Sequence, residues 1–131
     1  MSRISRHLTY AFGVVYRAAR VAQARDIGPA AAGSLQIVTS RTGGAVTIKA
    51  RGELDIATAP RLAGVVNDDS VLLAAAVLLD LSAVTFVDSS GLHALIAIHE
   101  ALGNRLQIAP GAACLRVARL AGVADQLPLA S

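Results

Sequence analysis

Residues 71–102 read VLLAAAVLLDLSAVTFVDSSGLHALIAIHEAL, and the change of pattern along this stretch decides the fold. From Val71 to Leu79 every residue is apolar, and the composition predicts a buried strand over residues 76–81. Its apolar residues do not alternate, so both faces are expected to be covered, as in a central parallel strand. Phe86-Val87-Asp88-Ser89-Ser90-Gly91 reads as the loop that follows. Beyond it, Leu92, Leu95, Ile96, His99 and Leu102 share one helical face, and Gly103 and Asn104 end that helix. Strand, short loop and amphipathic helix make half of a crossover unit.

On the N-terminal side of this unit, Leu35 to Thr39 alternates, Arg41-Thr42-Gly43-Gly44 is a turn, and Ala45 to Arg51 alternates again with Val46 and Ile48 on one face. Together they predict a β-hairpin. Gly52-Glu53-Leu54-Asp55 follows. Thr58 is placed to cap a helix, with Pro60 in its first turn and Leu62, Val65 and Val66 as its apolar stripe. On the C-terminal side, Arg105 to Ala109 is a short strand. Gly111 to Ala121 is a helix with Cys114, Val117, Ala118 and Ala121 inward and Arg116 and Arg119 outward. The order ββα, βα, βα predicts an α/β fold with a mostly parallel central sheet, an N-terminal β-hairpin and helices packed on it. Leu78, Leu79, Leu95, Ile96 and Val117 are expected in the core.

Charge divides the chain. Residues 1–33 hold Arg3, Arg6, Arg17, Arg20 and Arg25 against Asp26, a net of +4. Residues 34–131 hold seven basic and eight acidic side chains, a net of −1. The isoelectric point near 9.8 therefore belongs to the first segment. The remainder lacks the basic footprint that phosphate backbones require, so no direct contact with nucleic acid is expected. Within the first segment, Ile4, Leu8, Phe12, Val15 and Ala19 form an apolar arc opposite the arginines, and residues 27–33 read as a linker. We expect a basic amphipathic extension over 1–33 and a domain over 34–131. A helix of that kind over residues 1–25 could lie on an anionic membrane surface, dock on a partner, or reflect a misplaced start codon.

Composition narrows the chemistry. Aromatics are 3% of the chain, leaving few platforms for stacking bases or sugars. Cys114 is the single cysteine, so no internal disulfide can form, which suits a reducing, cytoplasmic compartment. No apolar run approaches the roughly 20 residues of a transmembrane helix. Asp88-Ser89-Ser90-Gly91 is not a nucleophile elbow, which needs glycine two residues before the serine. His93 and His99 are six apart and do not stack as metal ligands. No catalytic residue, metal site or cofactor is expected.

The loop itself is the informative local feature. In open α/β sheets, functional loops cluster at the carboxyl ends of strands. A serine there is exposed, and the N–H groups of the following helix favour negative charge. A phosphate on Ser89 could be held without unfolding the helix. Ser89 or Ser90 could equally be a plain N-cap.

Val84-Thr85-Phe86-Val87-Asp88-Ser89-Ser90-Gly91-Leu92 resembles the signature of the STAS family, which includes anti-sigma-factor antagonists and sulfate-transporter tails. Ala50-Arg51-Gly52-Glu53-Leu54-Asp55, then Thr58-Ala59, resembles the family's other marker. Residues 105–123 resemble its last strand and helix. The resemblance covers about residues 35–129 and does not extend to residues 1–33. It implies a bacterial antagonist that binds an anti-sigma factor, itself a serine kinase, when unphosphorylated, and so frees a sigma factor. It implies Ser89 as phosphoacceptor and a PP2C-type phosphatase that resets the switch. Asp55, Asp88, Ser90, Gly91 and His93 are the expected partner-binding residues. Two other classes compete: a non-switching STAS assembly subunit of a transport or stress-signalling complex, and a small hydrolase using Ser89, which would lack a placed base.

Overall fold

A computed structural model of the protein describes residues 34–130. The extension expected over residues 1–33, with its amphipathic pattern, lies outside the described residues.

Strands β1 (Leu35–Thr42) and β2 (Ala45–Leu54) form the hairpin. Thr42 pairs with Ala45 across a two-residue turn in which Gly43 takes a φ of 61°, a conformation glycine adopts without steric cost. Helices α1 (Ala59–Val66) and α2 (Asp69–Leu72) lead to β3 (Ala76–Val87). Then come α3 (Ser89–Leu102), β4 (Leu106–Ala109) and α4 (Gly111–Leu120). The sheet order is β1-β2-β3-β4, with β1 antiparallel to β2 and the other two pairings parallel. This is the expected α/β architecture.

Among the described residues, the expected cover on both faces of the sheet is not found. Along β3, Val77, Leu79 and Leu81 are buried, whereas Leu78 and Asp80 are half-buried and Ser82 is exposed. On β2, Val46, Ile48 and Ala50 are buried while Lys49 and Arg51 are exposed. Helix α1 packs on α3 and α3 on α4, so among the described residues the helices form a single layer. Strand order explains this. Each crossover advances the same way across the sheet, and crossovers of one hand then fall on one face. A sheet covered on both faces needs a reversal of order, and this one has none.

Other boundaries also move. β3 continues through Phe86 and Val87, which pair with Glu53 and Leu54, so the expected loop shrinks to Asp88. Helix α3 is rotated from the expected face: Leu92, Leu95, Ile98 and Leu102 are buried, whereas Ile96 and His99 are half-buried. Of the expected core, Leu79 and Leu95 are fully enclosed, and Leu78, Ile96 and Val117 are partly so. On α4, Cys114 and Ala118 face inward, but Ala121 is exposed. A feature the sequence did not signal closes the sheet. Residues 128–130 run beside β4, with the Ile108 N–H donating to the Pro128 carbonyl (2.9 Å) and the Ala130 N–H to the Ile108 carbonyl (2.7 Å).

Candidate functional site at the carboxyl end of the sheet

β2 and β3 are parallel neighbours, so the segments that follow them, at Asp55 and at Asp88, emerge side by side. The Asp88 N–H donates to the Leu54 carbonyl at 3.2 Å, and the Thr85 hydroxyl donates to the Gly52 carbonyl at 3.2 Å. The two sequence markers, distant in the chain, thus form one surface.

Neither serine caps α3. Asp88 does, its Oδ1 accepting from the Gly91 N–H at 3.0 Å. Ser89 is the first helical residue and is exposed, Ser90 is half-buried, and Gly91 is buried. His93 lies one turn beyond Ser89 and is exposed, as is Glu100 further along the helix. His99 sits at the core edge, its Nδ1 3.1 Å from the Gln126 carbonyl. Gly91 is required by contact. A Cβ at this position would stand 2.6 Å from the Leu54 carbonyl oxygen and 2.9 Å from Leu54 Cγ.

The first marker is organised around Asp55. Its Oδ1 accepts from the N–H groups of Ala57 and Thr58, both at 3.0 Å. Thr58, expected to cap α1, makes no side-chain cap bond and is buried. Its hydroxyl donates to the Glu53 carbonyl at 2.7 Å and accepts from the Asp55 N–H at 2.9 Å. The Asp55 carboxylate instead satisfies the N–H groups at the start of the turn, because it precedes Thr58 by three residues and can fold back over them. Asp55 is therefore partly committed to its own loop. Two large apolar side chains stand exposed at this end, Ile56 (75%) and Phe86 (48%), and sequence patterning did not mark either. An isoleucine next to a loop aspartate was the available signal.

Two other groups have shifted acidity. Hydrogen bonds from the Ser82 hydroxyl and N–H, with a smaller contribution from Lys49, hold the Asp80 carboxyl below its ordinary value. Burial pushes the Cys114 thiol up, away from the thiolate a nucleophile needs. Among the described residues no group of three or more His, Cys, Asp or Glu side chains could hold a metal ion. Nor is any described helix long and apolar enough to cross a membrane.

Comparison with known proteins gives the same outline. The STAS domain family model matches residues 36–127. A crystal structure of an anti-sigma factor antagonist from Mycobacterium paratuberculosis is similar, with a TM-score of 0.64 and 32% sequence identity, covering 77% of this chain and 89% of that one. No curated protein matches significantly.

Proposed function

The chain belongs to the STAS domain family, and from that premise we propose that it is an anti-sigma-factor antagonist switched by phosphorylation of Ser89. Unphosphorylated, it binds an anti-sigma factor that is itself a serine kinase, and so releases a sigma factor. Phosphate on Ser89 ends that binding, and a PP2C-type phosphatase restores it. The protein acts by binding and carries out no catalysis of its own. Asp55, Asp88, Ser90 and His93 contribute to the partner surface, and Gly91, buried against Leu54, serves it by letting the two loops approach. The domain is residues 34–131, and residues 1–33 are an extension.

One observation carries this reading. Ser89 is exposed at the first position of α3, while the adjacent Asp88 has already capped the helix. A kinase can therefore reach the hydroxyl without disturbing the fold. The added phosphate brings about −1.5 to −2 charges. Within the domain the helix N-terminus favours them. Against a partner, the same charge must be desolvated beside the Asp88 carboxylate. A penalty of about 2.7 kcal/mol weakens affinity roughly a hundredfold.

The test uses purified anti-sigma kinases of the source organism, labelled ATP and mapping of the label, with calorimetric titration of variants. Ser89→Ala should resist phosphorylation and bind constitutively, and Ser89→Asp should fold but bind poorly. Label on Ser90 alone would overturn the assignment of Ser89. No label, with Ser89→Asp binding as well as wild type, would overturn the switch and leave a non-switching assembly subunit.

A further inference from the structure

Asp55 and Asp88, the acids of the two loops at this end, both serve the domain internally, one in the turn after β2 and the other as the α3 cap. Each commits its Oδ1 to the fold in this way. Beside the polar Ser89 and His93, this end also exposes two large apolar side chains. Ile56 stands between Asp55 and Thr58 at the crest of the tight turn, and Phe86 is the last residue but one of β3. Register joins them: Phe86 is paired with Glu53, whose carbonyl accepts from Thr58.

We propose that Ile56 and Phe86 are the apolar anchors through which this surface holds its anti-sigma factor, inserting into an apolar cleft of that partner. The inference rests on the function proposed above and names what that interface is made of. Interface affinity is concentrated in a few large side chains that become fully desolvated, with neutral contacts around them. Ile56 at 75% and Phe86 at 48% exposure have surface to lose on docking. An apolar contact also accounts for the proposed switch. A phosphate introduced into a hydrophobic interface must be stripped of water there, so one modification at Ser89 undoes binding without altering the fold. Leu73, exposed at 83%, provides the control. It lies at the opposite end of the sheet, just before the point where the Ala75 N–H bonds to the Gly44 carbonyl.

The experiment titrates the purified anti-sigma kinase that binds the wild-type protein with Ile56→Ala, Phe86→Ala and Leu73→Ala in the full chain. Thermal melting of each variant establishes that it is folded. Each anchor substitution should weaken binding at least about tenfold, and Leu73→Ala should leave it within about threefold. An effect below threefold at either anchor, or an equal loss at Leu73, overturns the proposal. Failure of the wild-type protein to bind any anti-sigma factor instead overturns the function on which it rests, so the two failures are told apart.

Discussion

Gly91→Ala tests how tightly the two loops are joined. Alanine in place of glycine ordinarily strengthens a helix by as much as about 1 kcal/mol. Here the new methyl would lie 2.6 Å from the Leu54 carbonyl oxygen and 2.9 Å from Leu54 Cγ, where ordinary contact begins near 3.4 Å. The helix must therefore back away by about 0.8 Å. The carbonyl cannot yield freely, because it accepts the Asp88 N–H at 3.2 Å and belongs to the last paired residue of β2. Overpacking of this kind costs about 1–3 kcal/mol, and weakening the hydrogen bond adds about 0.5–1.5 kcal/mol. Set against the helix gain, the net loss is about 0.5–3.5 kcal/mol. For a domain of this size each 1 kcal/mol lowers the melting temperature by about 4–8 °C. The assay is thermal unfolding followed by circular dichroism, with urea unfolding beside it. A melting temperature at or above that of the wild type would refute the reasoning, since it would mean that the helix start is free to shift and does not lock the two loops together.

Leu95→Ala removes a fully enclosed side chain from α3 and should cost about 2–5 kcal/mol; a urea-derived loss under about 1 kcal/mol would contradict its placement. Asp80 has a folded pKa below its ordinary value, so its contribution to stability is complete at neutral pH and is lost as pH falls through about 4 toward that lowered value. Asp80→Asn should therefore narrow the difference in urea midpoint between pH 7 and pH 3.5, and an unchanged difference would show that the Ser82 hydrogen bonds do not favour the carboxylate. Deleting residues 1–33 should lower the melting temperature by less than about 10 °C if residues 34–131 hold the whole core, and a larger drop would place part of the extension within it.

Much was legible in the sequence because it is written in local periodicity and turn chemistry. Alternation at Val46 and Ile48 announced a strand, and Gly43-Gly44 announced its turn. The helical spacing of Leu92, Leu95 and Leu102 announced α3, though Ile98 took the core position assigned to Ile96 because four-residue spacing leaves the exact rotation of a face open. The order of elements then determined the α/β class and the mostly parallel sheet. Ser89 was marked as a candidate by its place between strand and helix. What periodicity could not carry is anything set by residues distant in the chain. The apolar run of β3 looked fit for cover on two sides, but the unreversed strand order puts every described helix on one. Thr58 had the chemistry of a cap, yet the Glu53 carbonyl claims its hydroxyl and Asp55 takes over the turn. Gly91 read as the last residue of the loop, and its necessity comes from the Leu54 carbonyl pressed against it. Sequence by itself determined which segments become strands and helices, since neighbours along the chain settle that. Tertiary structure alone decided which face stays open and which groups meet at the carboxyl end of the sheet, because those depend on contacts made through space.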